Sequence, residues 1–345
     1  MVELRVFGAG VFGLSIAWEA ARRGARVEVV DPFGVAAGAS GGIVGALAPH
    51  VPENWNPKKQ IQFESLEMAE GFWAEVAATG GSDPGYARSG RVQPILDDAG
   101  LVLARARAVT AQTLWQGRYH WRVVAQAEIA TPLPSPTGWL IHDSLSARIH
   151  SRRACMALAD AITARGGRIV TDASQTPAIT LWATGAADLA ALSQAMGRNM
   201  GQGVKGQAAL LAHDLGRDAP QLFVDALHIV PHADGTLAIG STSENDFDDP
   251  TGTDEQLDAL IARARLLCPV LGDAPVIARW AGLRPRARSR APMLGVHPLA
   301  PGAFIANGGF KIGFGMAPMV ARLMADLMLE GRDAIPDSFR VAANL

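Results

Sequence analysis

The N-terminal third of the pattern is the most regular. "LRVFGAGVFG" (4–13) is an apolar run broken by glycines, "LSIAWEAARRG" (14–24) spaces its apolar residues at helical intervals, and "ARVEVVD" (25–31) is apolar again. That order predicts strand, glycine-rich turn, helix, strand. Further on, "GRIVTDA" (167–173) follows a helix-like stretch at 152–166. "PAITLWATGAADL" (177–189) then reads as a strand from Pro177 that leaves through Ala183, Thr184 and Gly185. Short strand-like runs at 90–96, 119–124, 204–211 and 236–242 accompany one stretch of helical spacing at 101–115, and the proline-rich 130–139 suits a crossing between lobes. The class this predicts is α/β, a Rossmann-like unit beside a second, mostly antiparallel α+β unit.

Composition narrows the picture. A chain of 345 residues with 49% apolar content can bury a large core, which excludes a disordered or collagenous protein and favours two lobes over one. Its 31 basic and 33 acidic residues leave a net charge of −2, so no global field draws it to nucleic acid or an anionic membrane. Cys155 and Cys268 form no CxxC pair, which argues against a disulfide framework or a zinc site and fits a reducing cytoplasm. No basic, apolar and cleavable series opens the chain, and the apolar stretch 304–329 carries Lys311, Arg322 and Asp326, a poor membrane span. A cytoplasmic protein without a metal is the expectation.

The glycines of the first turn carry chemistry. Gly8, Gly10 and Gly13 make G-x-G-x-x-G: the first permits a tight turn, the second a close pyrophosphate, the third close helix packing. The following helix N-terminus offers free N–H groups to phosphates. Asp31 ends the second strand, where a carboxylate accepts from both hydroxyls of an adenosine ribose and repels a 2′-phosphate. The motif alone does not choose between NAD and FAD. No Ser-His-Asp or Cys-His arrangement for nucleophilic catalysis is apparent. Arg284 stands out as a guanidinium aimed from an apolar half-strand, "WAGLRP", and by itself could pair with a structural carboxylate.

The Ala183-Thr184-Gly185 strand resembles that of the glutathione-reductase-like flavoproteins, whose backbone passes close to FAD. From end to end the chain is similar to the D-amino-acid oxidase superfamily, most of all to its glycine-oxidase and sarcosine-oxidase branch. Seven segments match in the family's order: 7–31, 36–50 ("AAGASGGIVGALAPH"), 183–185, 204–211, 228–242, 280–295 ("WAGLRPRARSRAPMLG") and 307–329 ("NGGFKIGFGMAPMVARLMADLML").

The resemblance implies an FAD cofactor held by Gly8, Gly10, Val11, Phe12, Gly13, Asp31, Ala39, Ser40, Gly41, Gly42, Ala48, Thr184, Gly185, Gly308, Gly309, Phe310, Lys311 and Ile312. It places Arg284 where the family grips a substrate carboxylate, and Lys311 near that carboxylate or the flavin O2. His228 stands where the branch usually has tyrosine, and Ser243 replaces a larger apolar residue. Arg286, Arg288 and Arg290 read as a solvated rim. The sarcosine oxidases tether FAD through a cysteine between the "GLRP" segment and the C-terminal glycines; none lies there, so the FAD is expected to be non-covalent. Hydride transfer from the CH–N bond of a small amino acid or N-alkyl glycine to flavin N5, then imine hydrolysis, is the implied reaction. Two alternatives stay open: an oxidase of carboxymethylaminomethyl-modified wobble uridine in tRNA, and a flavin-binding module without turnover. The family layout divides the chain into FAD-binding segments 1–80, 140–203 and 281–345 and substrate segments 81–139 and 204–280.

Overall fold

The computed structural model, which describes residues 3–175 and 178–345, begins as the N-terminal pattern predicts. β1 (Leu4–Phe7) enters the glycine turn, α1 (Val11–Arg22) follows, and β2 (Val27–Val30) returns beside β1. A short β3 (Ala46–Leu47) precedes the long α2 (Pro57–Gly80). That helix starts where the Asn56 side chain accepts from the Lys59 N–H at 3.1 Å with Pro57 in its first turn, and it stops at Gly81, whose φ of 76° is left-handed.

Next come β4 (Arg91–Pro94), α3 (Asp98–Leu114), β5 (Trp121–Ala125), β6 (Trp139–Asp143), β7 (Ala147–Arg148) and α4 (Ser151–Ala164). β8 (Arg168–Val170) and β9 (Ile179–Trp182) lead to α5 (Ala186–Ala195). Pro177, expected to open this strand, lies outside the described residues. The long β10 (Gly201–Ala212) is followed by β11 (Gln221–Val224), β12 (Leu227–Pro231), β13 (Thr236–Gly240) and α6 (Glu255–Leu267). A second long strand, β14 (Val276–Ala287), then β15 (Met293–Val296), β16 (Ala303–Asn307) and α7 (Gly313–Glu330) complete the order.

Two large sheets result. The six-stranded sheet runs β15-β16-β9-β1-β2-β8 and is parallel except at the β15-β16 hairpin. Its inner strand β2 is buried at every position, as a parallel strand between covering layers requires. Eleven of the twelve residues of α1 are buried as it packs against α4 and α7, so the glycine turn is fixed from beneath.

The eight-stranded sheet runs β14-β10-β13-β12-β11-β4-β6-β5 and is antiparallel except where β4 meets β11. It also takes in residues 140–143, 201–203 and 281–287, which the family layout grouped with the FAD-binding segments, because β6, β10 and β14 carry their ladders to their ends. β10 and β14 pair along almost their whole length, with Gly206 opposite Gly282 and Val204 opposite Arg284. A separate apolar core, including Leu211, Ile229, Ile239 and Leu257, lies against this sheet and α6. Among the described residues no helix is long and apolar enough to cross a membrane.

Candidate cofactor and substrate site

A cavity of about 950 Å³ runs from the glycine turn to the β14 end of the larger sheet. That is near the upper end of the ~300–1,000 Å³ range of small-molecule sites. Its lining includes Gly8, Gly10, Val11, Phe12 and Asp31, joined by Ala39, Ser40, Gly42, Thr184 and Gly185, with Gly309 beside the Phe12 ring, and it takes in Arg284, His228, Phe310 and Lys311.

The glycine turn has the geometry its motif predicts. Gly8 has φ of 106°, and a Cβ there would fall 2.4 Å from the Ala183 carbonyl oxygen, so only glycine fits where β1 meets the Ala183-Thr184-Gly185 turn. Gly13 does not line the cavity; a Cβ on it would come within 2.0 Å of the Gly8 carbonyl oxygen, which makes it the packing glycine of the motif. The Asp31 carboxylate accepts from the Ala9 N–H at 2.8 Å and the Phe33 N–H at 3.0 Å, and the Ser40 hydroxyl accepts from the Val11 N–H at 2.9 Å.

Four other residues named from the resemblance stand behind the wall. Gly41 packs a missing Cβ against the Ala36 carbonyl, and Gly308 does the same against Ala287. The Ala48 carbonyl accepts from Gln62 Nε2 at 3.2 Å, and Ile312 caps the start of α7. Asn307 joins the two halves: its side-chain N–H groups donate to the Gly185 carbonyl at 2.9 Å and to Asp188 at 3.2 Å, while its Oδ1 accepts from the Gly308 N–H at 2.7 Å.

Arg284 is 9% exposed and lines the cavity. Its guanidinium lies over Gly206, diagonally across the β10-β14 ladder, and Nη1 donates to the Thr242 carbonyl at 3.2 Å. Among the described residues no carboxylate lies within ion-pair distance of it. Burial lowers its pKa to about 10 against a smaller opposing pull from Glu244, so it stays charged at neutral pH. Lys311 reaches the same end because the Phe310 N–H donates to the Pro285 carbonyl at 2.9 Å, which ties the turn before α7 to the residue after Arg284. Burial, then the charges of Arg284 and Arg286, lower the Lys311 pKa.

His228 also lines this end. Burial, followed by Arg91 and Lys311, lowers its pKa to about 3, so its imidazole is neutral, and Nδ1 is buried without a protein partner among the described residues. Ser243 is exposed and away from the cavity. Arg288 and Arg290 are exposed, but Arg286 is half-buried and donates to Asn245 Oδ1 at 2.9 Å, so the solvated rim is only partly solvated. Both cysteines are buried and neither lines the cavity.

Several wall residues carry no local signal in the sequence. Phe223 and Trp280 arrive from within β11 and β14, and Ser241 and Thr251 from the loop after β13. The Trp280 ring fits beside Gly282, where a Cβ would meet its Cζ2 at 2.6 Å, and against Gly42. Ser151 enters as the first residue of α4, whose cap His150 accepts from the Arg153 N–H at 3.4 Å.

The donors present fit FAD. A glycine cradle that side chains would fill, a helix N-terminus, a carboxylate at the ribose position and a continuous cavity are the requirements of a dinucleotide flavin.

Comparison with known proteins agrees. Residues 4–327 match the DAO family, FAD dependent oxidoreductase. A glycine oxidase of Pseudomonas aeruginosa is 41% identical over 110 residues, an alignment that covers 32% of this chain and only 30% of that protein. Over the whole chain the fold matches the crystal structure of glycine oxidase from Geobacillus kaustophilus, with a TM-score of 0.84 at 22% identity and 98% of both chains covered. It also matches iminodiacetate oxidase from Chelativorans sp. BNC1, with a TM-score of 0.83 at 21% identity and the same coverage. This chain belongs to the DAO family of FAD-dependent oxidoreductases.

Proposed function

We propose that this enzyme oxidises the CH–N bond of a small carboxylated amine, an amino acid or an N-alkyl glycine, to an imine that water then hydrolyses. The observation that carries this reading is Arg284: a buried guanidinium with one backbone acceptor and no carboxylate partner among the described residues, open to the cavity. Such a group is costly unless an anion completes it. A planar guanidinium takes a carboxylate bidentately, which fixes the orientation of the attached α-carbon.

On this reading Gly8, Gly10, Val11, Phe12, Asp31, Ser40, Thr184 and Gly185 hold the nucleotide part of FAD, and Gly309 and Phe310 border the cofactor from the turn before α7. Bound there, FAD would accept the hydride, one proton with its two electrons, that leaves the substrate carbon. His228, neutral across the working pH range, offers one hydrogen bond to the amine without adding charge. Phe223 and Trp280 wall the amine from bulk water. On this reading the smaller sheet carries the cofactor and the larger sheet, through Arg284 on β14, presents the substrate. The name of iminodiacetate oxidase, a protein of the same fold, supports a secondary amine among the candidates.

The test is an anaerobic spectrum of the purified holoenzyme while glycine, sarcosine, proline and a panel of D-amino acids are added. Bleaching of the oxidised-flavin band by one of them, abolished in Arg284→Ala, is expected. If every small carboxylated amine leaves the band intact, the reading fails.

A further inference from the structure

Asn307 lines the cavity from the last position of β16, beside the end of β9 from which Ala183, Thr184 and Gly185 depart. It is 2% exposed, and its amide spends both hydrogens within the protein. One N–H goes to the Gly185 carbonyl at 2.9 Å and the other to the Asp188 carboxylate at 3.2 Å, while Oδ1 accepts from the Gly308 N–H at 2.7 Å. A reversed amide would set Oδ1 against two acceptors and its N–H groups against the Gly308 N–H, so only one orientation is satisfied. Asp188 enforces that orientation. It is buried on the first turn of α5 and, among the described residues, takes no other side-chain hydrogen bond.

The segments joined in this way belong to different walls of the site. Gly185 ends the turn that lies against Gly8. Gly308 opens the turn before α7, where Gly309 lies against the Phe12 ring and the Phe310 N–H donates to the Pro285 carbonyl at 2.9 Å, next to Arg284. Gly185 and Gly308 both have left-handed φ, 67° and 74°, and neither has a side chain with which to hold its turn. The Asn307 amide supplies that hold.

We infer that Asn307 is a positioning residue that sets the placement of bound FAD relative to Arg284, with Asp188 fixing the direction of its amide. This deepens the function proposed above and rests on its placement of cofactor and clamp. The links run from Gly185 to Asn307, from Asn307 to Gly308, and from Phe310 through Pro285 to Arg284. Hydride transfer depends on such placement, and an error of about 1 Å costs on the order of 10²-fold in rate. Carboxylate binding at Arg284 does not depend on it.

The FAD-loaded enzyme tests this in Asn307→Ala, Asp188→Ala, Asn307→Asp and the exchange that combines Asp188→Asn with Asn307→Asp. Methoxyacetate, a carboxylate with no CH–N bond, is titrated by calorimetry for its dissociation constant and by flavin absorbance for the size of the difference spectrum. The limiting rate of anaerobic flavin reduction is taken with the amine that bleaches wild type. In Asn307→Ala the dissociation constant is expected to stay within about twofold of wild type, while the limiting rate falls at least ~10-fold and the difference spectrum shrinks. Asp188→Ala keeps the bonds to Gly185 and Gly308, so it should show the same split at smaller size, and it carries the test if Asn307→Ala does not fold. The exchange returns an amide opposite a carboxylate and is expected to recover rate and spectrum relative to Asn307→Asp alone.

A wild-type limiting rate and difference spectrum in Asn307→Ala, with only its melting temperature lowered, overturns the inference, because the residue would then be purely structural. Equal losses of methoxyacetate affinity and of rate also overturn it, by moving the effect to the clamp. No recovery in the exchange overturns the role of Asp188. Failure of the proposed function is read separately: a wild type that binds no methoxyacetate, or that no small carboxylated amine reduces, loses the clamp. The ligand-free flavin spectrum and the rate of FAD release on dilution then decide for Asn307, and unchanged values in Asn307→Ala overturn its role.

Discussion

Gly206 has no chemistry of its own, yet the reading of Arg284 makes it one of the most sensitive positions in the chain. A Cβ built on it would lie 1.8 Å from Arg284 Nη1 and 2.1 Å from both Cζ and Nη2. To reach an ordinary contact of ~3.5 Å the guanidinium would have to retreat by roughly 1.7 Å. Displacements of about 1 Å in a positioning group cost on the order of 10²-fold in rate. Gly206→Ala is therefore expected to weaken binding of a monocarboxylate such as methoxyacetate, and to lower kcat/KM for the substrate, by at least ~10²-fold.

The backbone should tolerate the change. Gly206 has no left-handed φ, and one methyl group added to a packed strand costs about 1–3 kcal/mol. The holoenzyme should still melt cooperatively and keep its flavin. A cycle with Arg284→Ala separates the mechanisms: once the guanidinium is gone, adding the methyl should do no further harm to carboxylate binding. Additive losses, or a Gly206→Ala enzyme that binds carboxylates like wild type, would refute the argument that β10 is shaped around Arg284.

Three further outcomes follow from other parts of the molecule. Gly13→Ala puts a Cβ within 2.0 Å of the Gly8 carbonyl, so it should separate α1 from the glycine turn and yield protein largely free of flavin, read as the ratio of visible to ultraviolet absorbance after gel filtration. Stability should fall with acid: burial lowers His228 to about 3 and His232 to about 4, whereas an unfolded imidazole titrates near ~6.5. The unfolded state therefore takes up the extra protons, so stability is complete above about pH 6.5 and drops by ~1.4 kcal/mol per pH unit per imidazole below it, and His228→Asn should make the pH dependence of the urea-unfolding free energy shallower by one proton. Burial pushes the Cys155 thiol up to about 12 and Cys268 to about 11, so neither should react with a thiol reagent before unfolding, and acid precipitation should release all FAD into the supernatant.

The parts of the site visible in the sequence are those whose chemistry is local. Gly8, Gly10, Gly13 and Asp31 form a turn and its neighbouring strand end, so spacing alone predicts their roles, and Ala183 to Gly185 follows the same logic. Arg284 was readable only through the family resemblance, because its partner surface is Gly206, far away in the chain and placed by the β10-β14 register. Trp280 depends on the same pairing, while Phe223 reaches the wall through the pairing of β11 with β12 and β4 and Thr251 through the loop after β13, and none leaves a local trace. Helix α2 goes beyond the elements expected from the pattern, although an Asn-Pro start and buried residues at Phe63, Leu66, Ala69, Trp73 and Val76 give it ordinary helical spacing. His228 was legible as a position and not as a state: its burial and the two nearby cations keep it neutral well into acid.

The same strand explains how a guanidinium comes to be buried without a carboxylate partner. β10 points Lys205 and Gln207 away from the face on which Gly206 accepts Arg284, and behind it these side chains gather the acids. Lys205 pairs with Asp254 at 3.0 Å and with Glu244 at 3.6 Å, while Gln207 donates to Glu244 at 3.1 Å and to Asp254 at 2.7 Å. Glu244 also accepts from the Thr242 hydroxyl, so its capacity is largely used before Arg284 is considered. These contacts fix both ends of the segment from Thr242 to Asp254, which supplies the carbonyl that aims Arg284 and, through Pro250 and Thr251, part of the cavity wall. On that side of the strand one ammonium and one amide hold two carboxylates, while Arg284 on the other side has no carboxylate within ion-pair distance among the described residues; under the proposed function, the anion that completes it enters through the cavity.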